Sequence, residues 1–192
     1  MGSGWEGAMR VEDAQRELSR AYANGGPAVA ISGVVWIIAS IIDRNYGTRS
    51  AFNALFLGGM LIVPISILVS RKFFGAEKTD AKNPLNRLGF ESTMMLFAGL
   101  LISYALLPVA PNQAFAALAA AIGARYFTFR SIYGSGLFWG LGGALMTVAT
   151  VSLLKETTQA VDVLTAVGVI ECVFGILLMW HVRRHTKQIK RS

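Results

Sequence analysis

Residues 161–182 read VDVLTAVGVIECVFGILLMWHV, and RRHTKQIKRS follows at 183–192. A helix crosses the hydrocarbon core of a bilayer with about 20 consecutive, predominantly apolar residues. This run has that length. Its only charges are Asp162 at one edge and Glu171 near the middle, and it ends in a cluster of bases. Bases that flank an apolar run resist translocation and stay on the cytoplasmic side. The stretch is therefore expected to be a membrane-spanning helix with its basic end inside.

Five further runs extend the pattern toward the N-terminus, at 27–42, 51–70, 89–107, 113–129 and 132–154. The first is short and the fourth is rich in alanine, so these two depart most from a typical span. The connections are short except at 71–88, where Arg71, Lys72, Glu77, Lys78, Asp80, Lys82 and Arg87 mark a solvated loop. Of the 192 residues, 54% are hydrophobic and 15% charged. Soluble domains carry roughly 45–50% apolar residues and about 25% charge. Both departures point to lipid as part of the solvent.

Before the first run, residues 11–23 have a helical period. Val11, Ala14, Leu18, Ala21 and Tyr22 form a narrow stripe, opposite Glu12, Asp13, Arg16, Glu17 and Arg20. Asn24-Gly25-Gly26-Pro27 supplies the stop. An amphipathic helix placed directly before a span is expected to lie along the membrane interface. The expected fold is thus all-α: a polytopic transmembrane bundle of six spans with an N-terminal interfacial amphipathic helix. Its parts are a cytoplasmic leader at 1–26, a transmembrane domain at 27–182 and a basic cytoplasmic tail at 183–192. Within the leader, Met9 is a second candidate start, which leaves open whether residues 1–8 are native.

With the N-terminus inside, fifteen of the 18 bases fall in inward-facing segments. They are Arg10, Arg16, Arg20, Arg71, Lys72, Lys78, Lys82, Arg87, Arg125, Arg130, Arg183, Arg184, Lys187, Lys190 and Arg191. Only Arg44, Arg49 and Lys155 face out. This asymmetry predicts a multi-pass protein of the cytoplasmic membrane with both termini in the cytoplasm. It also favours an even number of spans. The net charge of +7 is then explained by attraction to anionic headgroups at the cytoplasmic face. Nucleic acid is not an expected partner, because the bases lie between and after apolar runs.

Cys172 is the single cysteine, which excludes a disulfide framework and a multi-cysteine metal site. No cleavable signal peptide is visible. His181 and His185 share a helix face, but a metal needs at least a third ligand and none is evident. Arg183 and Arg184 beside them suit a basic, interfacial helix end. Tyr133-Gly134-Ser135-Gly136 superficially resembles the Gly-x-Ser-Gly of intramembrane serine proteases, yet Tyr133 stands where the first glycine is required. No other catalytic motif is present, and no cofactor is identified. Enzymatic activity is not expected.

Charge inside an apolar span is the best functional pointer. Glu171 lies about ten residues, or roughly 15 Å, from the outer end of its helix. A lone ionised carboxylate there is costly, so it must be protonated, paired or wet. Arg125 lies at a similar depth in the fourth run, and Glu91 lies near the inner end of the third. The hairpin through Pro108-Val109-Ala110-Pro111 should bring Glu91 within about one turn of Arg125. Arg125 thus has two candidate partners, Glu91 and Glu171. The arrangement is either a structural ion pair or a polar pocket. Asn53, Tyr104 and Tyr126 could join such a pocket, as could Ser103, Thr147 and Thr150, although each is ordinary alone. Pro64 is expected to kink the second helix.

Small residues mark the later helices: Ala116, Ala120 and Ala124 on one face, with Ala119 and Gly123 beside it, then Gly136, Gly140 and Gly143. They let helices approach closely, either within the chain or at a homo-oligomer seam.

Five stretches carry a family resemblance: Gly25-Gly26-Pro27, Ser32-Gly33-Val34-Val35-Trp36, Gly58-Gly59-Met60, Asn83-Pro84-Leu85 through Glu91-Ser92-Thr93, and Ile122-Gly123-Ala124-Arg125-Tyr126. Together they resemble an uncharacterised family of small six-helix bacterial membrane proteins. The family implies no activity, but Glu91 and Arg125 fall inside its motif stretches. The leading expectation is binding or passage of a small solute or ion through a pocket built by Glu91, Arg125 and Glu171. The alternative is a non-catalytic membrane scaffold or partner subunit, in which the same charges only fix the helices.

Overall fold

A computed structural model of the chain describes residues 9–76, 79–155 and 159–189, with side chains through Val182. Residues 1–8, the loop charges Glu77 and Lys78, and the side chains of the basic tail from Arg183 onward, His185 among them, lie outside the described residues. All described secondary structure is helical. The helices are α1 (Val11–Ala21), α2 (Gly26–Tyr46), α3 (Thr48–Phe74), α4 (Leu85–Leu106), α5 (Pro111–Tyr133), α6 (Leu137–Leu154) and α7 (Ala160–Ile189). A 3-10 turn at Ala23–Gly25 joins α1 to α2.

Helices α2, α3, α5 and α7 run past the apolar segments of the sequence. Helix α6 instead begins only at Leu137, inside the run expected at 132–154, because Ile132 and Tyr133 still belong to α5 and Gly134 ends that helix at φ 69°. The first run, short at 27–42, becomes α2 of 21 residues, because Asp43, Arg44 and Asn45 remain helical until Gly47 turns the chain at φ 82°. Helix α3 runs unbroken through Pro64. Helix α7 continues past Val182 to Ile189, so the transmembrane run and the start of the basic tail form one rod. Among the described residues, five helical segments are long and apolar enough to cross a membrane: Ala23–Tyr46, Thr48–Phe74, Leu85–Leu106, Leu137–Leu154 and Ala160–Val182. Helix α5 is long enough, with 23 residues, but less apolar.

The turn between α1 and α2 is tight. Ala23, Asn24 and Gly25 take φ of 47°, 55° and 71°, three successive left-handed residues. Asparagine and glycine tolerate that region, alanine less so. A Cβ on Gly25 would stand 3.1 Å from the Tyr133 ring, so the glycine answers both to backbone conformation and to space.

Helix α1 docks on the protein itself. Ala14 and Leu18 are buried, and Val11 is the one fully exposed member of its stripe. The Asn83 side-chain amide donates to the Ala14 carbonyl and to Glu17, and the Asp80 amide also donates to Glu17. Gln15 donates to the Ser131 carbonyl at 2.7 Å. These bonds strap α1 across the end of the bundle that holds the α3–α4 loop and the α5–α6 link.

Helix α2 packs on α7 and α3, α5 packs on α4 and α6, and α7 closes the bundle against α5 and α6. The α2–α7 seam is built from glycines spaced by seven, Gly26 and Gly33 on one side and Gly168 and Gly175 on the other. A Cβ on Gly33 would lie 2.6 Å from the Cys172 backbone nitrogen, and one on Gly168 would lie 2.9 Å from the Gly33 carbonyl oxygen. A Cβ on Gly175 would meet the Ala30 nitrogen at 2.5 Å. The seam continues one heptad on, where Ser40 and Thr165 share a 2.7 Å hydrogen bond. A second close approach joins α5 to α6, where a Cβ on Gly142 would stand 2.8 Å from the Gly123 carbonyl oxygen. Ala116 is also buried within the chain, whereas Gly136 and Gly143 have open space beside them.

Candidate functional site

The seam sets the azimuth of α7. With Gly168, Cys172 and Gly175 against α2, Glu171 turns toward α5 and is fully buried. Tyr126 of α5, also buried, donates its hydroxyl to Glu171 Oε1 at 2.5 Å. The other oxygen, Oε2, is buried with no hydrogen-bond partner among the described residues. The Ser32 hydroxyl on α2 faces both groups. A buried acceptor left unpaired costs about 1–3 kcal/mol when neutral and more when charged. The centre is therefore polar, enclosed and incompletely satisfied.

Arg125 lies beside this pair, close enough to interact with the Glu171 charge. Among the described residues no carboxylate is in ion-pair contact with it. Its guanidinium instead stacks over the Phe129 ring, 4.8 Å from the centroid, and its Nε donates to the Ser92 hydroxyl at 3.4 Å. Both contacts suit a guanidinium, a planar and weakly hydrated cation.

The structure thus joins three of the six residues expected from sequence: Glu171, Tyr126 and Arg125. It separates the other three. Glu91 is exposed and pairs with Arg87, one turn back on α4, at 2.9 Å. The expected Glu91–Arg125 contact does not form, because Ser92, the next residue, is the one that faces α5. Tyr104 is 61% exposed and leans on Phe52 at 5.9 Å between ring centroids. Asn53 is exposed on α3. Ser103 is fully buried, but it closes the α4–α5 hairpin by donating to the Ala114 carbonyl, while Thr147 bonds back to Gly143 of its own helix.

From sequence, Ser32 and Ser92 stand out only as members of the family stretches, and Asp43 not at all, so none of the three is a candidate site residue there. Asp43, near the far end of α2, also carries a buried carboxylate oxygen, Oδ1, with no hydrogen-bond partner among the described residues. Its signal was an acidic residue at the edge of an apolar run.

Aromatic rings continue the site toward the α1 end. Tyr126 stacks on Phe138 at 6.0 Å between centroids, and Phe138 stacks on Tyr133 at 5.5 Å. Phe129 meets both Phe138 and Tyr133 edge-on. Tyr133 lines a surface cavity under α1. A column of packed rings therefore separates that cavity from Glu171. Among the described residues, no three metal-binding side chains converge.

A bundle of apolar helices around an enclosed carboxyl–phenol pair is the build of a multi-pass helical membrane protein. The chain belongs to a family of unknown function, DUF7010, whose model matches residues 11–181. That match bears out the resemblance to an uncharacterised family. No curated protein and no solved structure matches the chain.

Proposed function

We propose that this protein crosses the cytoplasmic membrane six times and that Glu171, Tyr126 and Arg125 form an intramembrane centre that binds or passes a small solute or ion. The observation that carries this reading is the Glu171 carboxyl, buried with one oxygen held by Tyr126 and the other, in a site that the Ser32 hydroxyl also faces, with no hydrogen bond of ordinary geometry among the described residues. An ionisable group at such depth is costly and usually marks a substrate or proton route. The open oxygen suits a cation or an N–H or O–H donor. Helix α5 counts as the sixth crossing on its length and its short links to α4 and α6. Much of it is buried inside the bundle, including Ala114, Phe115, Leu118, Ala119 and Tyr126, so it need not be as apolar as helices that meet lipid. Arg16, Arg20, Arg71, Lys72, Lys82, Arg87 and Arg130 gather at the α1 end, which supports that end as cytoplasmic. Helix α1 would then lie at the inner interface, one side on the protein and the other toward headgroups.

Two experiments test this reading. Purified protein in liposomes is screened for flux or binding of protons, inorganic cations and small amines, alongside Glu171→Gln. The variant should fold and insert normally and lose the activity of the wild type. A wild type silent across the panel, with Glu171→Gln more heat-stable than it, would transfer the centre to a structural role. Full burial of Glu171 favours that second reading, in which the same groups fix the helices of a membrane scaffold. For topology, a cysteine at Thr48 in a Cys172→Ser background should react with an impermeant maleimide in intact cells. Reaction only after permeabilisation reverses the assigned orientation.

A further inference from the structure

The cavity under α1 is a second polar feature, and the Glu171 centre does not use it. It is a recess of about 590 Å³, open at the surface. Its walls carry Glu12, Arg16 and Arg20 from α1, Asn24 from the strained turn, Tyr133 and Ser135 at the α5–α6 link, and His181 at the end of the apolar part of α7. Four observations define what it can take. First, its charge balance is positive. Glu12 is already engaged by Arg10 at 3.4 Å, whereas Arg20 has no carboxylate in contact among the described residues, and Arg16 reaches Asp13 only at 3.8 Å. Second, Arg16 and Arg20 are one turn apart, so both present to the same opening. Third, Ser19, Tyr133 and Ser135 line the same space, with the Ser19 hydroxyl donating to Asn24 Oδ1 at 3.3 Å. Fourth, the cavity borders His181 and Val182, where the apolar run at 161–182 gives way in sequence to Arg183 and Arg184. On the topology proposed above, on which this step rests, that position lies at the level of the headgroups, and Ile176 and Trp180 of the same helix are exposed apolar side chains on its membrane side.

Paired arginines recognise a tetrahedral anion through charge-assisted, forked hydrogen bonds. We propose that this cavity binds a phosphate group, gripped by Arg16 and Arg20. The chemistry is shared by an anionic phospholipid headgroup and by a free phosphate. The strained Ala23–Gly25 turn is held against Tyr133, so the cavity wall is a fixed part of the fold rather than a gap left by a loose helix.

The test uses the full chain, purified in a neutral detergent and titrated with dihexanoyl phosphatidic acid, dihexanoyl phosphatidylcholine and inorganic phosphate. Binding is read by calorimetry and by thermal shift. Phosphatidic acid is expected to bind, and Arg16→Gln and Arg20→Gln should each weaken it by at least about tenfold. Both side chains reach solvent, so neither change should prevent folding. Inorganic phosphate that binds as tightly as phosphatidic acid would identify a soluble phosphate as the ligand, and weak competition by it would identify the lipid. Arg71→Gln with Lys72→Gln, on the same end of the bundle but away from the cavity, is the control and should bind as the wild type does. The proposal is overturned if neither anion binds, if phosphatidylcholine binds equally, if the arginine variants bind as the wild type does, or if the control pair loses as much as they do.

Discussion

Helices α3 and α7 are equally apolar by mean hydropathy, yet 39% of the α7 span is buried and only 17% of the α3 span. Hydropathy therefore does not decide which helix lies inside. In lipid, the surroundings are as apolar as a leucine side chain, and what draws helices together is close packing and hydrogen bonding. Helix α7 places Gly168 and Gly175 against the α2 backbone. Helix α3 turns Leu57, Met60, Leu61, Val63 and Leu68 outward, and Gly59 has open space beside it.

The strongest way to break this comparison is to add bulk to one glycine of each kind. Gly33→Leu is expected to abolish monodisperse folded protein, because the new side chain would meet the Cys172 backbone, which cannot move aside. Overpacked cores typically lose about 1–3 kcal/mol, and Gly33→Ala should fall in or above that range in reversible unfolding from mixed micelles. Gly59→Ala should stay within about 0.5 kcal/mol of the wild type. Equal losses at the two positions would mean that the α2–α7 seam is not the structural core.

A second test compares an inner tyrosine with an outer one. Tyr126→Phe keeps the ring between Phe129 and Phe138 and removes the donor to Glu171. It leaves a buried carboxyl without its hydrogen bond, and the expected loss is about 1–3 kcal/mol. Tyr104→Phe, on the lipid-facing side of α4, should change stability by less than about 0.5 kcal/mol. The same unfolding titration reads both variants. A neutral Tyr126→Phe would show that the carboxyl is satisfied by something other than this phenol.

Much of this was legible in the sequence, and the rest was hidden for a physical reason. Apolar runs and charge punctuation located all six long helices, because the membrane imposes length and composition on a span. Glu171 stood out because charge is rare there, and Tyr126 and Arg125 lay in a recognisable stretch of the fourth run. Depth along a helix is counted at 1.5 Å per residue and was read well. Azimuth was not. In a soluble protein the polar face marks the outside, but here both faces of a span are apolar and the usual stripe vanishes. The usable signal was the spacing of small residues. Gly26, Gly33 and Ser40 recur every seven residues, as do Gly168 and Gly175. That heptad fixes the α2–α7 seam and thereby turns Glu171 toward α5. The alanine stripe of the fourth run points to α5 instead, whose tight contacts are made by Gly123 with Gly142 of α6 and by Ala121, outside the stripe, with Gly99 of α4.

Glu91 shows how small an error in azimuth is enough. It was placed near Arg125 by depth alone, and at that depth a residue of α4 does meet Arg125. It is Ser92, and one residue is a rotation of about 100°. Glu91 is carried round to the surface, where it pairs with Arg87. The two side chains are 54% and 87% exposed, so solvent screens the pair. Exposed helix pairs one turn apart contribute about 0.3–0.5 kcal/mol. Glu91→Ala should therefore cost no more than that, and raised salt should shrink the effect further. Arg125→Ala should cost more, through lost packing on Phe129 and the loss of a cation beside Glu171. Because the two sites share no contact, the double variant should equal the sum of the singles within about 0.5 kcal/mol. A double variant clearly more stable than that sum would mean that Glu91 and Arg125 interact after all, and that α4 is rotated by one residue from the position described.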